Sequence, residues 1–583
     1  MTKDWQVASA VPPALVELFA DYPFLFAQLF FNRGILNQNA AVDFLADDPR
    51  RLFFDPFLFR AMAEAVQLAI EHIKTGHPIV VYGDYDADGV TASALLTEIL
   101  RTLRARADHY IPDRISEGYG LNEAAIDYLA KKGTKLIITV DNGIRNKLEI
   151  ERARALGMDI IVTDHHLPPD ESSDLPDCLI INPHSRGETY PEKKLAGVGV
   201  AFKFAGALIQ KSTLSAEKKD KLIGRLLDLV AIGTITDCVS LTGENRALVK
   251  SGLAVLSRQQ RPGLKALIRE AGISDDKKID AWHIGFQLGP RLNAAGRLDH
   301  ANTSFHLLIT RDDQEAASLA RTLNANNQVR QRLTDEILAA ADQDLDPAEK
   351  GKNIIIARSP NLKDGVEAWN EGVIGLAAGR LCERYYRPAL VLTKREAEVK
   401  GSGRSVAELN LMAMLEKVRE YLARWGGHAA ACGFTLKSDR PEFVQEFIAA
   451  VKQAANDLLA GKIFSPRLLI DAEFGLENWT EKIIADLDRF APFGEDNPQP
   501  KFLSRGLRLL DVQLMGNESQ HIKLRLKSET SPIFSALGFG RSEDWKNLPI
   551  GGKIDMVYYA QINEFNGRRE IQLKIIDIKP SAA

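Results

Sequence analysis

The sequence has few cysteines, and none of them form a pair at a zinc-binding spacing. Four occur in 583 residues, scattered as Cys178, Cys238, Cys382 and Cys432. Disulfide frameworks and structural zinc sites need paired or clustered cysteines, so both are excluded as the basis of this fold. This cysteine usage is typical of a protein that works in a reducing compartment.

Long apolar runs, a secretory leader and a strong net charge are missing as well. No apolar stretch approaches the roughly 20 residues of a membrane span. The start, MTKDWQVASAVPP, has neither the basic beginning nor the apolar core of a signal peptide. Lysine and arginine number 74 against 78 aspartates and glutamates, a formal charge of −4. We therefore expect a soluble, cytoplasmic protein with no membrane partner, in which any nucleic-acid-binding surface is local.

What is present is enough apolar material for several packed cores. Hydrophobic residues make up 45% and charged residues 26% of the chain, the balance of a globular protein. The length predicts about three to five domains. Pattern changes predict a helical N-terminal extension (1–64), an α/β domain (65–245), a helical segment with a long connecting helix (246–345), a second α/β domain (346–465) and a strand-rich C-terminal domain (466–583).

The first α/β domain alternates short apolar runs with helical patterns. The apolar runs are PIVVYG (78–83), KLIITV (135–140), DIIVT (159–163) and CLIIN (178–182). Between them, helical spacing of apolar residues marks 90–106 and 146–157. Apolar strands that alternate with helices predict βαβ units around a buried parallel sheet. Further on, the stretch 312–344 lacks glycine and proline and predicts a long helix between the two α/β domains.

The C-terminal segment reads as strands separated by turns. Its runs are GLRLLDVQLMG, HIKLRLKS, PIFSALGFG, KIDMVYYAQINEF and RREIQLKIIDIK, with a hairpin-forming Asn566-Gly567 between the last two. About five strands suit a small barrel of the oligonucleotide-binding (OB) type. Residues 501–583 hold 13 basic against 9 acidic side chains. We expect this barrel to bind a nucleic-acid strand through its cations and rings such as Tyr559 or Phe565, although such a surface equally suits a protein partner.

Acidic residues and histidines follow three strands of the predicted parallel sheet. PIVVYG runs into Asp84, Asp86 and Asp88, KLIITV into Asp141, and DIIVT into Asp164-His165-His166. The carboxyl ends of parallel strands share one edge of the sheet, where open α/β folds bind their ligands. If DYDAD is extended, its alternation turns the three aspartates to one side. We therefore expect these groups to converge.

Carboxylates gathered in this way repel one another unless cations lie among them. Two carboxylates about 4 Å apart repel by roughly 4 kcal/mol at an effective dielectric constant of about 20. Carboxylates together with imidazole favour Mn²⁺ or a similar ion over Ca²⁺, with Mg²⁺ as a further candidate. Two such ions activate water against a phosphodiester. Taken singly, Asp141 is as well explained as a helix cap or turn former as it is as a metal ligand, and Asp164 is better explained as a cap or turn former. A single buried histidine is more often a core residue than a ligand. The combination favours a two-metal site.

The motifs GDYDADG, TVDNGI and VTDHHLP resemble those of the DHH phosphoesterase superfamily. The superfamily has a fourth acid on the helices after the sheet, and GTITDCVSL places Asp237 there. The resemblance implies that Asp86, Asp88, Asp141, His165 and Asp237 bind metal, with Asp84 as a further ligand or a close neighbour of the ligands. It also implies that His166 supports the ligands or handles a proton, acting with Asp141 and His165 in catalysis.

Further motifs narrow the resemblance to the RecJ family of bacterial single-strand-specific exonucleases. IPDRISEGYGLN (111–122), GPRLNAAGRL (289–298), WNEGVIG (369–375), GSGRS (401–405) and GGHAAACGF (426–434) stand in the family's order, within a resemblance that covers 65–583. Family members often carry histidine where Asn370 stands, which leaves the substrate contact of residue 370 open, and alanine where Cys432 stands. The implied fold is a parallel-sheet DHH domain, a helical linker, a DHH-associated α/β domain and an OB-type barrel.

The same resemblance implies a function and partners. The chain is expected to hydrolyse single-stranded DNA from the 5′ end to 5′-mononucleotides, with Mn²⁺ or Mg²⁺, in recombination and in mismatch or base-excision repair. A helicase and a single-strand-binding protein are the expected partners. We expect a monomer.

Arginines and small residues in these motifs suit phosphate binding. Arg291 and Arg297 flank Asn293-Ala294-Ala295-Gly296, a run that lets backbone amides approach a phosphate while guanidinium groups bind its oxygens. The same reasoning applies to Arg404 in the glycine-rich GSGRS, which reads as a loop, and to His428 after two glycines. Arg114 in IPDRISEGYGLN completes the expected substrate contacts. Taken alone, each piece is equally an ordinary turn or a solvated surface.

Three functions remain open on the sequence. The first, which we favour, is a metal-dependent exonuclease that holds one DNA strand in a groove between the α/β domains while the barrel holds the incoming strand. The second is a phosphodiesterase for very short oligonucleotides or cyclic dinucleotides, or a pyrophosphatase; these tend to be shorter chains without the barrel. The third is an inactive nucleic-acid-binding scaffold, against which the complete set of acids and histidines argues.

Overall fold

The computed structural model describes residues 3–275, 277–344, 353–362, 367–565 and 568–581. The chain forms two units that interleave along the sequence. The sheet unit comprises Phe54–Asp237 and Gly252–Phe464, and the barrel unit comprises Met1–Phe53, Cys238–Ser251 and Ser465–Ala583. The N-terminal segment thus belongs with the C-terminal strands, which chain order does not predict.

The N-terminal segment is helical, as its phenylalanine-rich pieces indicate. Strand β1 (Asp4–Val7) is followed by helices α1 (Pro13–Leu18), α2 (Phe24–Asn32) and α3 (Gln38–Leu45). The rings of Phe26 and Phe30 are fully buried, and their centroids lie 4.8 and 5.4 Å from that of Phe490. These helices therefore share one apolar core with the barrel described below.

A five-stranded parallel sheet lies at the centre of the sheet unit. Its elements are α4 (Met62–Thr75), β2 (Pro78–Tyr82), α5 (Ala87–Thr102), β3 (Arg106–Tyr110), α6 (Glu123–Lys131), β4 (Leu136–Val140), α7 (Lys147–Ala155), β5 (Asp159–Thr163) and β6 (Leu179–Ile181). The strand order is β3-β2-β4-β5-β6, and each neighbouring pair is parallel. Every residue of β4 is buried, because helices cover both faces of the sheet.

The helix predicted at 90–106 is α5, which both begins and ends earlier. Asp86 accepts hydrogen bonds from the N–H groups of Asp88 and Gly89, at 2.9 and 3.1 Å, and so caps the helix at Ala87. At the other end, Arg104 has a φ of +68° and turns the chain into β3. The sequence pattern misses β3 because this edge strand, RADHY, has few apolar residues.

The segment after the sheet is helical, as predicted. Its helices are α8 (Gly197–Lys211), α9 (Ala216–Thr236), α10 (Gly243–Leu256), α11 (Pro262–Glu270), α12 (Ala281–His283), α13 (Gly289–Leu298), α14 (Asn302–Ile309) and α15 (Asp313–Asp344). The predicted long helix is α15, and a π-helical turn precedes α13 at Ile284–Leu288. Among the helices that the structure describes, none combines the length and the apolar character that crossing a membrane requires.

The second α/β domain contains a mixed five-stranded sheet. Its elements are β7 (Ile355–Arg358), α16 (Glu371–Tyr385), β8 (Ala389–Arg395), β9 (Glu398–Arg404), α17 (Leu411–Lys417), β10 (Leu422–His428), β11 (Ala431–Leu436) and α18 (Pro441–Leu459). The order is β10-β11-β9-β8-β7, with β7 and β8 parallel. Helix α15 packs against α13 and α16 and so connects the two α/β domains. Asn370 caps α16 by accepting the N–H of Gly372 at 2.8 Å.

The motif GSGRS forms the end of strand β9 and not the predicted loop. A Cβ at Gly401 would lie 2.1 Å from the ring of Phe434 on the neighbouring strand. The glycine therefore makes room for a packed ring, and it does not form a phosphate-binding turn.

The C-terminal strands close into the barrel that the sequence predicts. The elements are β12 (Arg467–Ile470), β13 (Ala472–Glu473), α19 (Glu481–Leu487), β14 (Phe502–Met515), β15 (His521–Lys527), β16 (Phe534–Gly538), α20 (Ser542–Trp545), β17 (Lys553–Phe565) and β18 (Arg568–Pro580). Strand β14 pairs with both β15 and β17, which closes β14-β15-β16-β18-β17 into a five-stranded barrel of the OB type. The predicted Asn566-Gly567 turn and the side chain of Phe565 lie outside the described residues.

Candidate metal centre

Acidic and histidine residues meet at the carboxyl edge of the parallel sheet. The loops after β2, β4 and β5 carry the segments 84–88, 141–143 and 164–166, and Asp237 lies at the C-terminal end of α9. His165 Nε2 lies 3.1 Å from Asp141 Oδ1 and 3.6 Å from Asp237 Oδ2. Segments that are distant in sequence therefore contribute to one cluster, which parallel-strand topology predicts for the first three.

Three overlapping sets of side chains bring their ligand atoms within 4.8 Å of one another. The sets are Asp84, Asp86 and Asp141; Asp88, His165 and Asp237; and Asp141, His165 and His166. The first two sets share no residue, whereas Asp141 belongs to two of the three. The arrangement thus offers ligands for two cations.

Polar atoms in this cluster are buried without hydrogen-bond partners in the described part of the chain. They are Asp84 Oδ1, Asp141 Oδ1, His165 Nε2 and Asp237 Oδ2. The approach of His165 Nε2 to Asp141 Oδ1 is close but is not aligned as a hydrogen bond. Buried polar atoms are normally satisfied. Carboxylate oxygens are the ligands that Mn²⁺ and Mg²⁺ prefer, and the added imidazole nitrogen favours a transition metal such as Mn²⁺. The residues present therefore fit divalent cations.

Burial and mutual repulsion shift the pKa of these carboxyl groups upward. Desolvation, followed by the neighbouring carboxylates, raises the pKa of Asp84 and Asp141 well above the usual value. The same causes in the same order raise the pKa of Asp88 to about 7 and that of Asp237 to about 9. Burial lowers the pKa of His165 to about 4, which leaves a neutral ring with a lone pair to offer. A cation bound here would stabilise the carboxylate forms and oppose the upward pKa shifts.

The loop 84–88 is not the extended segment that its alternation suggests. Asp86 caps α5, and Asp88 lies in the first turn of that helix. The two oxygens of Asp88 accept the N–H groups of Gly197 and Val198, at 2.6 and 2.9 Å, at the start of α8. The condition of an extended segment is therefore not met, because the cap begins a helix within the motif. The helical turn divides the aspartates between the first two ligand sets.

Asp141 has a backbone conformation that is uncommon for a residue with a side chain. Its φ is +64°, and its carbonyl accepts a hydrogen bond of 2.9 Å from the hydroxyl of Tyr119. A Cβ at Gly197 would lie 2.6 Å from Cβ of Asp141, so the start of α8 requires glycine there. Sequence reasoning missed both residues. The sequence signs that pointed to them were the motif 111–122, which contains Tyr119, and the glycine-rich GVGV run, which begins with Gly197.

His166 is held through one ring nitrogen. Its Nδ1 lies 2.8 Å from Asp164 Oδ1 and 3.1 Å from the hydroxyl oxygen of Tyr119. Asp164 also accepts the N–H groups of Ile144, His165 and His166, so it forms the predicted turn and in addition orients His166. Burial by itself would lower the pKa of His166, but the bond to Asp164 and its charge raise it. The arrangement leaves Nε2 for other partners.

A cavity of about 320 Å³ opens beside the acidic cluster. Its walls are Asp84, Tyr85, Asp86, Arg114, Tyr119, Asp141, His166, Thr236, Asp237, Asn293 and Arg297. Three of the predicted substrate-binding residues, Arg114, Asn293 and Arg297, line it. The other three, Arg291, Arg404 and His428, do not.

Arginines from three segments lie close together near this cavity. Burial, and then the charge of Arg114, are the main causes that lower the pKa of Arg297 to about 9. Burial also lowers the pKa of Arg404, and the charge of Arg114 lowers it further. Nη1 of Arg297 donates to the carbonyl of Gly372 at 3.0 Å, and Nη1 of Arg404 to that of Gly403 at 2.8 Å. An anion such as a phosphate relieves the repulsion among such groups.

GPRLNAAGRL forms helix α13, so its amides do not make the predicted phosphate cradle. Its small residues instead permit a close contact with the acidic loop. Asn293 Oδ1 accepts the N–H of Ala87 at 2.7 Å, and a Cβ at Gly296 would lie 2.5 Å from the carbonyl oxygen of Tyr85. Arg291 donates to Gln287 and Asn324, at 2.7 and 3.0 Å. His428 is exposed at the end of β10.

Comparison with known families agrees with this arrangement. The model described as "DHH family, N-terminal domain" matches residues 78–234, "DHHA1 domain" matches 352–457, and "RecJ OB domain" matches 470–577. These matches fall on the parallel sheet with its following helices, on the second α/β domain and on the barrel.

Whole-chain relatives give the same result. The single-stranded-DNA-specific exonuclease RecJ of Bacillus subtilis (strain 168) is 39% identical over 561 residues, 95% of this chain and 67% of the relative. That of Escherichia coli (strain K12) is 36% identical over 536 residues, 89% of this chain and 90% of the relative. The crystal structure of RecJ in complex with Mn²⁺ from Thermus thermophilus is 28% identical, with a TM-score of 0.83 over 100% of this chain and 80% of that one. The corresponding Mg²⁺ complex is 27% identical, with a TM-score of 0.77 over 99% of this chain and 79% of that one. Fold, site and similarity together show that the chain belongs to the RecJ family of single-stranded-DNA-specific exonucleases, within the DHH phosphoesterases.

Proposed function

We propose that this chain hydrolyses single-stranded DNA from the 5′ end and releases 5′-mononucleotides, using two divalent cations, Mn²⁺ or Mg²⁺. One observation supports this proposal: two sets of metal-binding side chains lie at the same edge of the sheet. Each set includes buried ligand atoms that have no hydrogen-bond partner in the described part of the chain. Asp84, Asp86 and Asp141 would hold one cation, and Asp88, His165 and Asp237 would hold the other. Membership of the RecJ family supports the substrate and the 5′ polarity.

The protein's own residues hold this site in place. The cations, when bound, supply activation of water and neutralisation of charge at the phosphodiester. Asp88 is anchored by two N–H groups of α8, and Asp141 by the hydroxyl of Tyr119. His166 is oriented by Asp164 through Nδ1, so its Nε2 holds or delivers a proton at a reacting oxygen.

Substrate phosphates bind on the arginine side of the cavity. Arg114 and Arg297 line it beside the acids, and their guanidinium groups suit the non-bridging oxygens of a phosphodiester. The DNA strand runs in a groove between the parallel sheet and the second α/β domain. Arg297 links the two sides of this groove through its hydrogen bond to the carbonyl of Gly372. Asn293 completes the cavity wall, and Arg291, Arg404 and His428 contact parts of the strand beyond the cavity.

The barrel binds the strand on a surface of its own. Phe539 is 53% exposed, its ring centroid lies 5.4 Å from that of His521, and the Nζ of Lys574 lies 5.8 Å from its centroid. An exposed ring with a lysine beside it suits base stacking together with backbone contact. Tyr559, the ring that the sequence suggests, is half-buried, so Phe539 is the better stacking residue.

The wider setting of this activity follows from family membership. We propose a role in recombination and in mismatch or base-excision repair, together with a helicase and a single-strand-binding protein. We also propose a monomer in the cytoplasm, with domain limits at 1–64, 65–245, 246–345, 346–465 and 466–583.

A cleavage assay on 5′- and 3′-labelled oligonucleotides, single- and double-stranded, with and without Mn²⁺, tests the function. The expected result is metal-dependent release of mononucleotides from the 5′ end of the single strand. Faster hydrolysis of a dinucleotide or of pyrophosphate than of a long strand would support the second function instead. Strand binding without metal-stimulated hydrolysis would support the inactive scaffold.

A further inference from the structure

Arg114 lies beside the acidic cluster, yet it forms no ion pair with any carboxylate in the described ranges. Its guanidinium carbon instead lies 4.7 Å from the centroid of the Tyr85 ring. The group is near enough to act on Asp84, whose pKa is raised by burial and lowered by the charge of Arg114. An arginine next to several carboxylates thus remains without a partner of opposite charge among the residues that the structure describes.

Two other arginines of the sheet unit, by contrast, pair with nearby carboxylates. Arg152 binds Asp127 at 2.7 Å, and Arg261 binds both Asp228 and Glu98 at 3.0 and 2.8 Å. Such bidentate or paired contacts are the usual state of a guanidinium group within reach of an acid. The arrangement of Arg114 is therefore a departure that needs a physical cause.

We propose that Tyr85 is a positioning residue whose ring holds the guanidinium of Arg114 away from Asp84 and Asp86. The inference rests on the proposed function, and it deepens it. The π face attracts the cation while leaving its N–H groups free for a substrate phosphate. The carboxylates on either side of Tyr85 in the chain then remain free for metal.

The backbone of Tyr85 is fixed on the side of α13. Its carbonyl oxygen packs against Gly296, where a Cβ would lie at 2.5 Å, and the N–H of Ala87 is bound to Asn293. The hydroxyl of Tyr85 makes no hydrogen bond to any residue that the structure describes. The ring, and not the hydroxyl, therefore performs the positioning.

Repulsion from Arg297 and Arg404 adds to the need for this support. The charge of Arg114 lowers the pKa of both residues, after burial as the larger cause. If the ring were removed, the π contact would no longer oppose the attraction of the acids. Arg114 would then move onto Asp84 or Asp86 and compete with the cation.

Four variants of the full-length protein test this inference: Tyr85→Phe, Tyr85→Leu, Arg114→Gln and the double variant Tyr85→Leu/Arg114→Gln. Mn²⁺ binding is measured by calorimetry without DNA, and KM and kcat on a labelled single strand. We expect Tyr85→Leu to weaken Mn²⁺ binding and to raise KM, each by about tenfold, and Tyr85→Phe to stay close to the parent. In the double variant, Mn²⁺ affinity should return to that of Arg114→Gln while KM stays high.

The rescue of metal binding separates positioning from a merely structural role. If the double variant binds Mn²⁺ as weakly as Tyr85→Leu does, or if Tyr85→Leu matches the parent in both measurements, the inference is overturned. Thermal unfolding checks each variant, and Tyr85→Met, which also lacks a π face, replaces the leucine variant if that one does not fold. A parent protein that fails to cleave single strands contradicts the proposed function alone, because the Mn²⁺ measurements still test the role of Tyr85.

Discussion

His165 Nε2 lies 3.1 Å from Oδ1 of Asp141, and neither atom has a hydrogen bond to a described residue. The two residues follow neighbouring strands of the parallel sheet, and both side chains are largely buried. A neutral imidazole nitrogen and a carboxylate oxygen repel at this distance, unless a cation or a proton lies between their lone pairs. A divalent cation held by both residues turns the contact into an attractive one.

Replacement of Asp141 is expected to abolish cleavage while strand binding persists. Asp141 belongs to two of the three ligand sets, whereas the arginines proposed to bind phosphate are not in any of these sets. Asp141→Ala should lower the single-turnover rate with Mn²⁺ by about 10³-fold or more, as for loss of a group that stabilises transition-state charge. Fluorescence anisotropy with a labelled strand should change little. Asp127→Ala, on the exposed surface of α6, is the control, and near-normal turnover of Asp141→Ala would contradict the metal assignment.

Without metal, the protein should lose stability as the pH rises. The folded-state pKa is about 7 for Asp88 and about 9 for Asp237, raised chiefly by burial, whereas an unfolded aspartate titrates near about 3.9. Above about pH 4 the folded state keeps protons that the unfolded state has released, so the free energy of unfolding falls through the window up to these folded values.

Mn²⁺ replaces those protons, so its effect should depend on pH in the opposite sense. The rise in melting temperature on adding Mn²⁺ to chelator-treated protein is expected to be larger at about pH 8 than at about pH 6. Differential scanning fluorimetry at both values measures this difference. An equal or smaller gain at the higher pH would show that these carboxyl groups do not release their protons to bind the cation.

Two glycines of α8 offer a matched comparison. A Cβ at Gly197 would lie 2.6 Å from Cβ of Asp141, whereas at Gly206 no atom lies within 4 Å of it. Gly197→Ala should therefore displace Asp141 and lower both Mn²⁺ affinity and cleavage, by about 10- to 100-fold, as for altered support of a metal ligand. Gly206→Ala should keep activity and add up to about 1 kcal/mol of stability, because alanine favours the helix. Equal behaviour of the two variants in calorimetry and cleavage would rule out the close contact as the cause.

Binding of long strands by the barrel should respond to salt. Lys574→Gln is expected to reduce the slope of log affinity against log salt by about 0.7, the value for one phosphate contact on a single strand. Phe539→Ala should weaken binding by about 1–3 kcal/mol through lost stacking, with little change in slope. Lys546→Gln is the control, because that lysine pairs with Glu543. Unchanged slopes for Lys574→Gln would assign this face to a protein partner.

The local sequence pattern predicted the strands and helices that carry the site. It predicted the conformation of the site's loops and motifs less well. The apolar runs before Asp84, Asp141 and Asp164 are strands of one parallel sheet, because continuous burial of short runs is readable from residue type. The conformation of DYDAD could not be predicted in this way, because the same five residues fit both an extended strand and the start of a capped helix. GSGRS and GPRLNAAGRL were misread for a related reason: their small residues serve close packing against Phe434 and Tyr85, and partners distant in sequence leave no local sign. The ligand and substrate roles themselves remain predictions.

By itself the sequence determined the alternation of strands and helices, the barrel and the acids that follow the strands. The reason is that the spacing of apolar residues along the chain indicates which residues of each element are buried. Only the tertiary structure decided that Tyr119 supports Asp141, that Tyr85 lies under Arg114, and that the N-terminal helices share the core of the barrel. Those contacts join elements far apart in the chain. Their geometry depends on how helices and sheets pack and on which direction each side chain takes, and no local pattern encodes either.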